Sequence, residues 1–178
     1  RLPVPVLLWA TIALSLAFRI IVYVRSGYTI DDSWITFRYA ENLIAGHGLV
    51  YNLDEAVQGS TTPLQIFLLA MFMLFGLEAR AAALLICLTA TAGFLWCAFR
   101  LLEILSARSR SPFYILPLAV APGLIILSIS GMETMLFLFL QIATMWAYVD
   151  RRPLSLGALS AFLMLTRIDG VLVIVAIV

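Results

Sequence analysis

Two adjacent carboxylates, Asp31 and Asp32, stand in the most polar stretch of an otherwise apolar chain, TIDDSWITFRYAENLIAGHGLVYN. Adjacent carboxylates repel each other, and the capping of a helix requires only one of them. The second carboxylate is therefore available for other chemistry. A pair of this kind indicates a general base, a metal site or the recognition of sugar hydroxyl groups.

Further ionisable residues interrupt two apolar runs downstream. Glu133 lies in SGMET, and Arg167 and Asp169 lie in TRIDG. Charged residues at the ends of membrane helices are functional candidates by default. Simpler interpretations stay open, because Glu133 could complement the dipole of the following helix, and Arg167 and Asp169 could form a local charge pair.

The polar stretch predicts an amphipathic helix from Asp32 onward that lies in the membrane interface. Its predicted apolar side carries Trp34, Phe37, Ala40, Leu43 and Ile44. Its predicted polar side carries Ser33, Arg38, Glu41 and Asn42. A capping aspartate, an Arg38–Glu41 pair and a left-handed Gly46 at the C-terminus would explain much of the stretch structurally. His47, between two glycines, is commonly a loop residue at such a place, and it is carried as a candidate substrate contact.

The composition of the whole chain indicates an all-α, polytopic membrane protein. Of its 178 residues, 63% are hydrophobic and 12% are charged, and the mean hydropathy is +1.08. The charged fraction is about half that of soluble domains. The net charge of +1 argues against a nucleic-acid partner. The apolar segments are approximately 3–24, 63–77, 81–105, 112–130, 134–149 and 154–178.

The ends of the chain indicate a piece of a longer protein. The sequence begins at Arg1 without an initiator methionine and stops inside the apolar run VLVIVAIV. Residues 2–24 are long for a signal peptide and lack a small-residue cleavage site, so we interpret them as a retained first span. Residues 1–178 are then the N-terminal portion of one transmembrane domain.

The arginines of the short connections predict the orientation of the chain. Arg108 and Arg110 lie in one connection, and Arg151 and Arg152 lie in another. Residues 63–77 are short for a span of about 20 residues. If they lie in the interface, both arginine-rich connections are cytoplasmic and the three polar motifs share the outer face. If they instead cross as a short helix, the aspartates and these arginines lie on the same side.

The pattern DDxxITxRYAxNLxxGxGLVxN that begins at Asp31, followed by VQGSTTPL and SGMETMLF, resembles the mycobacterial cell-wall arabinofuranosyltransferases and their bacterial relatives. These enzymes belong to the C-type glycosyltransferase superfamily. The resemblance implies a multi-pass protein of the inner (plasma) membrane with juxtamembrane helices in its first extracytoplasmic loop, here residues 25–80. It also implies a polyprenyl-phosphate sugar as donor, with arabinofuranose as one candidate sugar, and a cell-envelope glycan or other hydroxyl as acceptor.

The resemblance also implies roles for the polar residues. Asp31 is the expected base for an inverting displacement, and Asp32 is expected to orient the acceptor or to hold a cation. Glu133 would position the acceptor or complete a metal site with Asp32 for Mg²⁺ or Mn²⁺. The donor phosphate would pair with arginines at positions 38 and 167, and substrate contacts are further expected from Asp169 and His47.

A membrane transporter or lipid flippase is the alternative. In such proteins intramembrane Asp and Arg residues serve ion coupling or the passage of headgroups. This alternative predicts broken helices near the bilayer midplane and inverted repeats. The sequence alone indicates neither of them.

Overall fold

The computed structural model describes residues 3–53, 59–106 and 111–177. Its helices are α1 (Val4–Ser26), α2 (Ser33–Ile44), α3 (Pro63–Leu74), α4 (Ala79–Leu105), α5 (Leu116–Val120), α6 (Pro122–Ile129), α7 (Thr134–Val149), α8 (Pro153–Thr166) and α9 (Gly170–Ile177), with a 3-10 turn at Pro112–Ile115 before α5. These ranges contain no strand, so the all-α prediction is confirmed. Arg108, Arg110 and the first two residues of the VQGSTTPL motif lie outside the described residues.

In the described part of the chain, α1 and α4 are the two helices long and apolar enough to cross a membrane by themselves. They contain 23 and 27 residues. At about 1.5 Å per residue both exceed the roughly 30 Å thickness of a bilayer core. Large apolar side chains on α1 face outward, among them Leu14 and Val24, which are 72% and 73% exposed. This outward surface fits contact with lipid.

Helix α3 is shorter than a full membrane span. Its 12 residues extend only about 18 Å, as the length of the apolar segment predicts. Gly76 ends it with φ 87°, and its N–H donates to the carbonyl of Met73 at 2.9 Å. The N–H of Leu77 reaches back to Phe72 at 3.3 Å, which completes a Schellman motif. Its predicted position in the membrane interface stays a prediction.

The apolar segment 112–130 is broken, which the sequence did not lead us to expect. The helix pair Pro112–Val120 and Pro122–Ile129 is bent by 66°. Pro122 lacks an N–H and forces Ala121 out of the helical region, to ψ 120°. The expectation that no helix is broken was therefore wrong for this segment.

Arg19 of α1 forms hydrogen bonds to the residues on both sides of this break. It is 1% exposed, although it lies inside a helix long enough to span. Its Nη1 donates to the carbonyl of Ala119 at 2.8 Å, and its Nε donates to Ser128 Oγ at 2.9 Å. Ser15 Oγ also donates to Ala119, at 2.9 Å. Side chains of α1 thus satisfy a carbonyl at the end of α5, where the helix is interrupted.

Helices α4 and α7 form the centre of the fold. They approach closely at Gly93, where an added Cβ would lie 2.5 Å from Cε2 of Phe139. Helices α2 and α3 pack onto this pair through a shared hydrophobic core. Its buried members include Phe37, Ala40, Ile66, Leu69, Ala83, Ile86, Met135, Leu140 and Leu163. This core fixes the position of the segment that precedes α2.

Candidate functional site

The segment before α2 is joined directly to the SGMET turn. The N–H of Ile30, one residue before Asp31, donates to the carbonyl of Ser130 at 3.0 Å. Gly131 has φ 83°, and a Cβ there would lie 3.2 Å from both Ser33 Cβ and Phe37 Cζ. The predicted convergence of these two motifs is therefore confirmed, although about 100 residues separate them.

Asp31 and Asp32 are exposed at the N-terminus of α2. Asp32 occupies the N-cap position but forms no side-chain capping hydrogen bond. Backbone and hydroxyl bonds close this turn instead, since Trp34 N–H donates to Asp31 O at 3.0 Å and Ser33 Oγ donates to Ile30 O at 2.6 Å. Among the described residues neither carboxylate has a hydrogen-bond or ion-pair partner. The capping interpretation therefore does not account for either of them.

The two faces of α2 differ from the predicted ones. Ser33 and Asn42, assigned to the polar side, are 0% and 4% exposed, whereas Trp34, assigned to the apolar side, is 51% exposed. Ser33 packs under the SGMET turn, and Asn42 Nδ2 donates to the carbonyls of Val50 at 2.8 Å and Tyr51 at 3.0 Å. These partners come from other segments, so the helical periodicity could not indicate them.

The described contacts of Arg38 and His47 do not involve the SGMET turn. Arg38 pairs with Glu41 on the exposed side of α2 at 3.7 Å, as the local interpretation predicted. Gly46 ends the helix with φ 83°, and His47 N–H bonds to Asn42 O at 2.9 Å, so the predicted left-handed end is confirmed. The His47 side chain is exposed. Substrate contacts by Arg38 and His47 stay predictions.

Glu133, Arg167 and Asp169 form one ionic network. Arg167 Nη1 lies 3.3 Å from Glu133 Oε1, and its Nη2 lies 3.1 Å from Asp169 Oδ2. Glu133 is 4% exposed, whereas the Arg167 side chain is 40% exposed and also lies 5.6 Å from the ring centre of Phe137. The local Arg167–Asp169 pair is thus present, and Arg167 also pairs with Glu133 of the SGMET turn. Glu133 stands at the N-cap of α7 without a side-chain capping bond.

The SGMET turn is also held by two residues that the sequence analysis missed. Gln65 of α3 donates from Nε2 to Gly131 O at 3.4 Å, and Cys87 of α4 donates from Sγ to Met132 O at 3.4 Å. Gln65 is the one polar side chain in PLQIFLLAMFML, and that isolation was a usable signal. Cys87 carried no such signal, because a buried cysteine usually behaves as a small apolar residue.

A metal site is not assembled within the described ranges. No three side chains of His, Cys, Asp or Glu in them are close enough together to hold an ion. The predicted use of Asp32 and Glu133 for Mg²⁺ or Mn²⁺ therefore stays a prediction.

Comparisons with protein-family models, with curated proteins and with solved structures found no match to this chain. The resemblance to arabinofuranosyltransferases rests on the sequence motifs alone. The site is therefore interpreted from its own chemistry. Asp31 and Asp32, which have no partner among the described residues, belong to a segment that is bonded to the turn carrying Glu133, and the arginine partner of Glu133 is partly exposed.

Proposed function

We propose that this chain belongs to an integral membrane glycosyltransferase. It transfers a sugar from a polyprenyl-phosphate donor to a hydroxyl group of a cell-envelope glycan or other acceptor on the extracytoplasmic face. Arabinofuranose is one candidate sugar. One observation carries the proposal: Asp31 and Asp32 are exposed and unpartnered among the described residues, and their segment is bonded to the turn that carries Glu133.

The proposed reaction is a single displacement with inversion. The Asp31 carboxylate takes the proton of the acceptor hydroxyl as the acceptor oxygen bonds to the anomeric carbon. The bond from that carbon to the phosphate oxygen breaks, and polyprenyl phosphate leaves with the electron pair. Asp32 orients the acceptor. This division requires that the two carboxylates be open to the acceptor, which their exposure supports.

The donor phosphate requires positive charge nearby. Arg167 already contacts two carboxylates, but only Glu133 is buried, and the Asp169 side chain is 55% exposed. We assign the phosphate contact to the exposed edge of Arg167. The phosphate displaces Asp169 from the guanidinium, and Glu133 holds the guanidinium in place. Arg38 on α2 is the second candidate for this contact, and a divalent cation would serve the same purpose.

The test uses purified full-length protein in detergent and a polyprenyl-phosphate sugar donor. Asp31→Asn should lower the rate of transfer by about 10²–10⁴-fold, the usual contribution of a general base, and should leave the thermal midpoint unchanged. Glu41→Gln is the matched control, because Glu41 is an exposed carboxylate on α2, the helix that follows Asp31. Full activity in Asp31→Asn would refute the assignment of Asp31 as the base.

A transporter or lipid flippase is a second candidate, favoured by the bend of 66° and by Arg19. An arginine buried within a spanning helix beside a broken helix is typical of sites that move charged headgroups or ions. In this case Arg19→Met would abolish lipid or ion flux in vesicles, whereas Asp31→Asn would leave that flux intact. Sugar transfer by the purified protein that survives Arg19→Met would favour the glycosyltransferase.

A further inference from the structure

Three successive carbonyls of the SGMET turn accept hydrogen bonds from three different parts of the fold. Ser130 O accepts from the backbone before α2, Gly131 O accepts from Gln65 on α3, and Met132 O accepts from Cys87 on α4. The next residue of the turn is Glu133, which bonds Arg167. The position of this turn therefore sets the distance between the two aspartates and the ionic network.

The hydrogen bond of the Gln65 side chain contributes little to the stability of the fold. The side chain is 0% exposed within an apolar helix. Its one described bond, at 3.4 Å, is longer than the usual range of about 2.7–3.2 Å. Its Oε1 is buried and has no hydrogen-bond partner among the described residues. A flipped amide would not help, because it would point Oε1 at the carbonyl oxygen of Gly131.

An apolar side chain of similar length would remove the unsatisfied acceptor at Gln65 and would lose only a long hydrogen bond. The fold alone therefore gives no reason for glutamine at this position. The geometry gives a different reason. The Gln65 amide bonds α3 to the turn that lies between the aspartates and Glu133.

We propose that Gln65 is a positioning residue for the candidate site. Through Gly131 it holds the SGMET turn against the segment that carries Asp31 and Asp32. This inference rests on the proposed sugar transfer for its functional consequence, but its structural part can be tested separately.

The test compares the wild-type full chain with Gln65→Met and with Thr144→Val. Thr144 is the matched control, because it is also 0% exposed in an apolar helix, but its hydroxyl bonds its own helix at Leu140 O, 2.7 Å away. Hydrogen exchange is measured by mass spectrometry on segments 28–34 and 129–133. We expect Gln65→Met to accelerate exchange in both segments without lowering Tm, and we expect Thr144→Val to change neither.

Sugar transfer is then measured on the same proteins. Gln65→Met should lower kcat by about tenfold or more with KM nearly unchanged, because small misplacements of reacting groups slow chemistry more than binding. Unchanged exchange in both segments would overturn the inference. So would a Tm that falls in step with kcat, or full activity in Gln65→Met. If the wild-type protein transfers no sugar, the proposed function fails, and hydrogen exchange still decides whether Gln65 positions the turn.

Discussion

The guanidinium of Arg167 lies between two carboxylates whose surroundings differ. Glu133 is buried, and Asp169 is exposed to solvent. Removal of a charge partner is costly when the remaining charge cannot reach water, and it matters little when the remaining charge is solvated. The two contacts of one arginine should therefore have unequal effects on stability.

Arg167→Met should lower the free energy of unfolding by about 1–3 kcal/mol, because it leaves the Glu133 carboxylate buried without a cation. Adding Glu133→Gln to this variant should restore most of the loss, since a neutral amide needs no counter-charge. Asp169→Asn should cost less than about 1 kcal/mol. Denaturation of the four proteins in one detergent measures these differences. Equal losses for Asp169→Asn and Arg167→Met would contradict the account.

Gly131 meets two requirements, a positive φ and close packing against α2, and a comparison with Gly48 separates them. Gly131 and Gly48 both have φ 83°, but only at Gly131 would a Cβ meet other residues, Ser33 and Phe37. Gly48→Ala should therefore show only the backbone strain of roughly 1 kcal/mol. Gly131→Ala should add an overpacking loss of about 1 kcal/mol or more and should separate α2 from the turn. Thermal unfolding of both variants gives the comparison, and a Gly131→Ala protein as stable as Gly48→Ala would show that this contact is not tight.

At the scale of elements, the packing of α4 on α7 depends on Gly93. Gly93→Ala would place a methyl group 2.5 Å from the ring of Phe139, so the two helices must separate or the ring must move. We expect a loss of about 1–3 kcal/mol. Gly157→Ala on α8 is the control, since a Cβ there meets nothing within 4 Å, and alanine favours the helix by roughly 0.5–1 kcal/mol. Opposite signs of the change in Tm are expected, and a stabilised Gly93→Ala protein would contradict this packing.

Some helices could be predicted from the sequence better than others. Apolar runs predicted α1 and α4 because a membrane helix needs a long uninterrupted segment, which is a local property. The break follows from Pro122 itself, a local signal, but the side chains that satisfy the Ala119 carbonyl there lie on α1, about 100 residues away in the chain. Local patterns carry no record of such partners. The same reason explains why the buried face of α2 was missed.

For the whole molecule, the charge rule predicted more than the periodicity did. The arginine counts placed the DD loop, SGMET and TRIDG together at one end of the bundle. The bonds from Ile30 to Ser130 and from Glu133 to Arg167 confirm that these motifs meet. Their identity as an outer face depends on a further quantity, the number of crossings between the DD loop and the end of α4.

The crossing of α3 decides that number, and labelling of two positions tests it. Glu41 is half-exposed on α2, and Ser106 is exposed just after α4. With α3 of 12 residues in the interface, α4 alone separates the two positions. Cysteines at Glu41→Cys and Ser106→Cys should then react with an impermeant maleimide from opposite sides, Glu41→Cys from outside. The native Cys87 and Cys97 are buried and should give a low background. Labelling of both variants from one side would mean that α3 crosses the membrane, and the arginine-rich connections would then lie on the same side as the aspartates.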